Sequence, residues 1–390
     1  MSWPLVKLGE VCKFVRGPFG GALKKECFVE DGFAVYEQQH AIYNQFSEIR
    51  YFVDESKFNE LKRFMLNPGD LIMSCSGTMG KIAIVPDNIK TGIINQALLK
   101  LTPSEAVDIN YLKYWLESES FQFILNGMTH GAAIKNVASV TVLKEIEIPL
   151  PSIEEQKRIA AILDKADAIR RKRQQAIQLA DDFLRSVFLD MFGDPVTNSK
   201  GWDIKKLDEV GVLDRGKSKH RPRNDPKLLG GEHPLIQTGD VAKSGGYITS
   251  YSATYSDFGL AQSRKWKAGT LCITIAANIA KTGILTFEAC FPDSVVGFKP
   301  NQLVTTEYVQ TWLSFLQKIL EANAPESAQK NINLAILRAL DIPLPPIEQQ
   351  VRFTNIVENM NEIKRKLNNS NELKKDAFNS LSQKAFAGEL

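Results

Sequence analysis

Residues 215–223 read Arg-Gly-Lys-Ser-Lys-His-Arg-Pro-Arg, and their chemistry is that of a polyanion contact. Arg215, Lys217, Lys219, Arg221 and Arg223 bring fixed positive charge with no acid among them, and His220 adds a titratable ring. A milder version stands in the first half of the chain, where Arg16 opens Gly-Pro-Phe-Gly-Gly-Ala-Leu and Lys24 and Lys25 close it. Glycine lets a backbone approach a phosphate closely, while lysine and arginine supply a salt-dependent attraction. Beyond each loop come Gln38 and Gln39, or Gln237 and Asp240. These types can read base edges, an amide suiting adenine and a guanidinium suiting guanine. Lys81 and Lys281, and Lys135 and Lys330 (each of the latter two before an asparagine), complete the candidate DNA-binding set. The other reading of every one of these cations is an ordinary solvated surface.

Catalytic constellations do not emerge in the same way. Gly77-Thr-Met-Gly-Lys81 comes near a phosphate loop, but Cys75 stands where its first glycine belongs and Ile82 replaces the magnesium-binding Ser/Thr. A tight hairpin turn explains it better. His40, His130, His220 and His233 are isolated and make no metal-ligand spacing. Pro86-Asp87 with Glu155-Gln-Lys157 resembles fragments of a nuclease site, yet Glu155 and Lys157 open a helical heptad pattern and suit its solvated face. No Asn/Asp-Pro-Pro-aromatic methyltransferase motif occurs. The expectation is a protein without catalysis or metal of its own.

A length of 390 residues suits roughly two to four domains. With 44% apolar and 24% charged residues and no apolar run of membrane length, the chain reads as soluble. Its first residues lack the pattern of a secretory signal. Five scattered cysteines without CxxC suit reduced thiols, so a cytoplasmic location is expected. A net charge of +3 decides nothing about nucleic acid.

The elements that must position the cations occur twice. Ile148–Gln156 reads Ile-Pro-Leu-Pro-Ser-Ile-Glu-Glu-Gln and Ile342–Gln350 reads Ile-Pro-Leu-Pro-Pro-Ile-Glu-Gln-Gln. Earlier in each half, Trp3-Pro-Leu-Val-Lys-Leu8 matches Trp202-Asp-Ile-Lys-Lys-Leu207. Asn67-Pro-Gly-Asp-Leu-Ile matches Lys267-Ala-Gly-Thr-Leu-Cys, a turn feeding a strand, and a return strand follows at Lys81 or Lys281. Tyr111, Trp115 and Leu116 recur as Tyr308, Trp312 and Leu313, the apolar face of a short helix. After each Ile-Pro-Leu-Pro come about forty residues with the composition of a long helix, roughly 57 Å if about 38 residues are helical. A 4-3-4-3 step, with several small or polar positions, runs through Ile162, Ala166, Ile169, Arg173, Ala176, Ala180, Phe183 and Val187, and through Ile356, Met360, Ile363, Leu367, Ser370, Lys374, Ala377 and Leu381. That period predicts two helices packed together along those positions. The predicted class is α+β: two pseudo-symmetric mixed α/β domains joined by two long helices forming an antiparallel coiled coil. Boundaries fall at 1–151, 152–195, 196–345 and 346–390.

Taken in order, the series resembles the DNA-specificity subunit of type I restriction-modification systems. The likeness rests on the paired Trp-x-x-x-Lys-Leu, on Arg16–Gly21, on the paired Ile-Pro-Leu-Pro-x-Ile-Glu-x-Gln and on Lys384-Ala-Phe-Ala-Gly-Glu-Leu390. It departs at Phe192-Gly-Asp-Pro195, where the second copy has Phe386-Ala-Gly-Glu. The resemblance implies two target-recognition domains that each read half of a bipartite, asymmetric sequence in double-stranded DNA, with the helices setting the unread spacer. It implies two methyltransferase (modification) subunits holding S-adenosylmethionine and a restriction subunit as translocase and nuclease. No cofactor is expected on this chain and no membrane. A specificity subunit of a fused type II-like restriction-methylation enzyme, a coiled-coil scaffold with sugar- or protein-binding domains, and a metal-dependent nuclease are the other readings.

Overall fold

A computed structural model of the chain describes residues 3–19, 21–127, 139–276, 279–322 and 332–390, the last by backbone alone over 368–377. Contacts divide it into two units: Met1–Gln174 with Asn368–Leu390, and Gln175–Leu367. Each contains one globular part and stretches of both long helices, Ile153–Phe192 and Ile347–Ala387. Among the described residues no helix is long and apolar enough to cross a membrane.

The paired sequence signatures find their partners within each unit. Leu5–Lys7 lies antiparallel to Glu147–Pro149, and Ile204–Lys206 lies antiparallel to Asp341–Pro343, with Val6 opposite Ile148 and Lys205 opposite Ile342. The repeated Trp-x-x-x-Lys-Leu and Ile-Pro-Leu-Pro are therefore two strands of one ribbon. Proline suits such a ribbon because each strand has an open edge. Lys7 and Lys206 close it with ion pairs to Glu145 and Asp341, each at 2.6 Å. Leu8 and Leu207 turn inward, and their N–H groups donate to Ile146 and Leu340.

The last residue of the proline motif is a clamp. Gln156 and Gln350 are fully buried. The Gln156 side-chain oxygen accepts from Asp108 N–H at 2.8 Å, and its amide donates to the carbonyls of Ala106 and Pro151. Gln350 does the same with Thr305 N–H at 3.0 Å and the carbonyls of Leu303 and Pro345. Tyr111 and Tyr308 then donate their hydroxyls to the carbonyls of Pro149 and Pro343. Each set locks the start of a long helix to another helix of its own unit, Ile109–Glu117 in the first and Thr306–Ala322 in the second, the latter longer than the short helix expected.

The long helices run antiparallel wherever they meet inside a unit. In the first, Arg158 donates to the Leu390 carbonyl at 3.0 Å and Ala385 packs in the core with Ile159 and Leu163. In the second, Lys364 pairs with Asp181 at 2.8 Å and Phe188 and Phe192 meet Phe353 edge-on. The buried stripe follows the predicted heptad seam only in part. On the seam Ala180 is buried but Ile169, Phe183 and Ile363 are about half exposed, while Ile159, Leu163, Asp167, Phe188 and Phe192, outside the predicted positions, are buried. The reason is that each helix also packs against a globular part, as where Tyr114 donates to Asp164 at 2.6 Å, and this turns its apolar stripe off the helix–helix axis. Ser370, Lys374 and Ala377 lie where no side chain is described.

In the globular part of the first unit a four-stranded antiparallel sheet has the order Cys12–Arg16, Leu98–Pro103, Leu71–Ser74, Ile82–Ile84. The second unit repeats it as Gly211–Arg215, Val295–Pro300, Leu271–Thr274, Thr282–Leu285 and adds Tyr247–Ile248. The expected hairpins are there, Leu71 opposite Ile84 and Leu271 opposite Ile284. A second small sheet carries Phe33–Tyr36 beside Gly92–Ile94, and its counterpart carries Leu229–Leu235 beside Ala289–Cys290.

Candidate nucleic-acid interface

Register alone gathers most of the candidate residues at one end of each main sheet. Arg16 sits opposite Leu99, Ser74 opposite Leu98, and Ile82 opposite Met73, so the Arg16–Gly17 loop and the 75–81 turn leave the sheet together. The second unit matches, with Arg215 opposite Val296, Thr274 opposite Val295, and Ile273 opposite Thr282. Arg16 and Lys81, like Arg215 and Lys281, are separated by three strand spacings, roughly 14 Å. The second sheet delivers the glutamines to the same end. Tyr36 accepts from Asn95 N–H at 2.9 Å just before the short helix Gln38–Tyr43, and Ile236 donates to Cys290 at 2.8 Å just before the helix Thr238–Lys243.

The glycine of each Arg-Gly pair explains the join. A Cβ on Gly17 would fall 1.8 Å from the Asn95 carbonyl oxygen, and on Gly216 2.2 Å from that of Phe291. Only glycine lets the loop cross so close to the turn behind it. Gly17 and Gly216 donate to Leu98 and Val295, both at 2.9 Å. A cleft opens beside each crossing. In the first unit it is about 530 Å³, lined by Arg16, Phe19, Arg63 and Gln96. In the second it is about 290 Å³, lined by Ser218, Arg223, Gln237 and Thr238.

The cations divide by what holds them. Arg221 and Arg223 both reach Asp293, at 3.5 and 2.5 Å, and Arg221 also donates to the Ser218 and His220 carbonyls. His220 meets Asp225 at 2.8 Å. The Asp225 carboxyl is held below its usual range by the Lys227 N–H and then by His220. Although the loop contains no acid, these neighbours fold it. Arg215, Lys217 and Lys219 are exposed and make no ion pair among the described residues. Their backbone is fixed, because Ser263 donates to the Lys217 carbonyl at 2.9 Å and Gln262 accepts from the Lys219 and His220 N–H groups. In the first unit Lys24 and Lys25 are exposed, and Arg16 lies against the buried Cys75 thiol, whose pKa burial pushes up to about 12.

The remaining candidates differ. Gln38 is half-buried with its side-chain oxygen unpartnered, and Gln39 is half-buried. The Gln237 side chain borders its cleft and shares a helix-capping box with Asp240, which accepts from the Gln237 N–H at 2.8 Å and from Ser252. His40 plays the same capping part for Glu37. Lys81 is exposed, while Lys281 turns to Gln317 at 3.3 Å. Lys135 and Lys330 lie outside the described residues. Arg63 and Gln96 were not singled out from sequence. Nothing in their neighbours marks them, and only the fold brings them beside Arg16.

Residues 2–179 and 199–375 each match the type I restriction modification DNA specificity domain. The chain belongs to that family. Within it, the MjaVIII type I specificity subunit of Methanocaldococcus jannaschii is 27% identical, over 94% of this chain and 88% of the relative. The EcoBI specificity subunit of Escherichia coli is 24% identical over 84% and 75%. The crystal structure of a type I system S subunit from M. genitalium shares the fold, with a TM-score of 0.60 at 16% identity over 99% of this chain and 96% of that one. The specificity family thus accounts for the duplication and for both halves of the chain.

Proposed function

We propose that the chain is the DNA-specificity subunit of a type I restriction-modification complex. Its globular parts, 1–151 and 196–345, are the target-recognition domains, each reading one half of a bipartite target. The helical segments 152–195 and 346–390 hold the halves at a set spacing. The observation that carries this is the repeated sheet end: an Arg-Gly loop, a glutamine-bearing turn and a lysine hairpin, twice, in a chain with two specificity-family domains. Side chains fixed on such a rigid end can hold phosphates in register while amides meet base edges. Arg16, Lys24, Lys25, Gln38, Gln39 and Lys81 serve one half-site, and Arg215, Lys217, Lys219, Arg221, Gln237 and Lys281 the other. Lys135 and Lys330 are proposed as backbone contacts at the domain exits.

The chain would catalyse nothing itself. Two modification subunits, carrying S-adenosylmethionine, methylate a flipped adenine, and a restriction subunit translocates and cleaves. The deciding experiment is co-expression with the neighbouring modification subunit and mapping of methylated adenines in the host genome. A bipartite motif with a constant gap is expected. A soluble, stably assembled complex that methylates nothing would overturn the proposal in favour of a scaffold.

A further inference from the structure

Phe19 has no part in the core: its side chain is 91% exposed, more than any other large apolar residue described. Single exposed apolar residues are common and carry no message alone. What sets Phe19 apart is its mounting and its surroundings. The Gly17 N–H on Leu98 and buried Pro18 fix the chain just before it, and the Phe19 carbonyl accepts from Ala22 at 2.8 Å. The ring thus stands in water beside an anchored stretch of backbone. It borders the cleft that contains Arg16, Arg63 and Gln96, and Lys24 and Lys25 stand exposed a few residues on. An apolar tip ringed by cations matches nucleic acid, whose bases are apolar on their faces and whose phosphates flank them.

We propose that Phe19 is a wedge that enters between adjacent base pairs in the half-site read by the first unit, with Arg16 and Arg63 taking phosphates beside it. This rests on the DNA-specificity reading above. Unstacking a base step is unfavourable, and burial of the ring against the opened faces offsets it. Among the described residues, no exposed ring stands at the matching place in the second unit, where Phe258 packs edge-on against His220. At the matching place Ser218 is buried and its carbonyl is taken by Arg221, while Lys217 and Lys219 project instead. The deformation should therefore be confined to one half of the target.

The test uses the assembled complex with its modification subunit and a library of randomised duplexes. Wild type selects the target; 2-aminopurine, whose fluorescence rises when stacking is lost, is then placed at successive positions along the selected duplex. Beyond the adenines that the modification subunits flip, the expected result is one further bright step, in one half-site only. Phe19→Ala should abolish that signal and weaken binding roughly tenfold, with the salt dependence and the other half-site unchanged. Phe19→Trp should retain both signal and affinity. Because the ring is exposed, Phe19→Ala should melt at the wild-type temperature. An undiminished further step in Phe19→Ala, or no bright step beyond the flipped adenines in wild type bound to its selected target, would overturn the wedge alone. Selection of no sequence by the wild-type complex would overturn the DNA-specificity reading, and the wedge with it.

Discussion

Two arginines and two lysines between positions 217 and 223 show how little a side chain's type says about its work. Arg221 and Arg223 are bound to Asp293 and shape their loop, whereas Lys217 and Lys219 face water from a fixed backbone. Charge reversal at Lys217 and Lys219 together should weaken DNA binding by the complex and lower the slope of log affinity against log salt by about 2. Arg221→Ala should act chiefly by loosening the loop, with a smaller change in slope. Titrating affinity against salt separates the two; an unchanged slope in the lysine variant would place that loop away from the DNA backbone. A residue of quite different use is Gln350, which satisfies three backbone groups from a fully buried position. Gln350→Leu leaves those groups unpaired and should cost ~3 kcal/mol of stability. Urea unfolding of the full chain measures it, and Gln156→Leu should behave alike in the first unit.

At the scale of elements, the long helices end in the same way despite different sequences. Gly193 and Gly388 both take the left-handed conformation, at φ 77°. The Trp202 indole donates to the Phe192 carbonyl at 2.9 Å, and the Trp3 indole donates to the Ala385 carbonyl at 3.2 Å. A left-handed glycine and a capping donor satisfy carbonyls that a helix end leaves open. The two tryptophans of the repeat thus have equivalent roles, although Trp202 follows its helix directly and Trp3 is far from its helix in sequence. If the helices set the spacer, four residues inserted after exposed Gln174 add about 6 Å of helix. Methylation mapping of that variant should then report the same half-sites with a changed gap. The original gap, from a well-folded insertion variant, would refute the ruler.

At the scale of the molecule, one fold carries two chemically different sheet ends. The first offers an apolar tip and paired glutamines, and the second offers a charged loop tied by Asp293 and a smaller cleft. The two half-sites should accordingly be unrelated in sequence and the target should not be palindromic, which the methylation map checks directly. A palindrome would require the two ends to read alike, against their composition.

The duplication, the hairpins, the launching of both long helices and the basic character of the 215–223 loop were all determined by the sequence alone. Local spacing sets these features, and two copies in the same order reinforce each other. Three things needed the tertiary structure. The buried stripe of the long helices departs in part from the heptad seam because packing against a globular part, which no helical period encodes, competes with packing between helices. The division of the basic loop into held and free cations depends on Asp293, seventy residues beyond Arg223 and brought close only by the sheet. Arg63, Gln96 and Phe19 meet at one cleft because strand register, not sequence proximity, brings distant loops to the same end of a sheet.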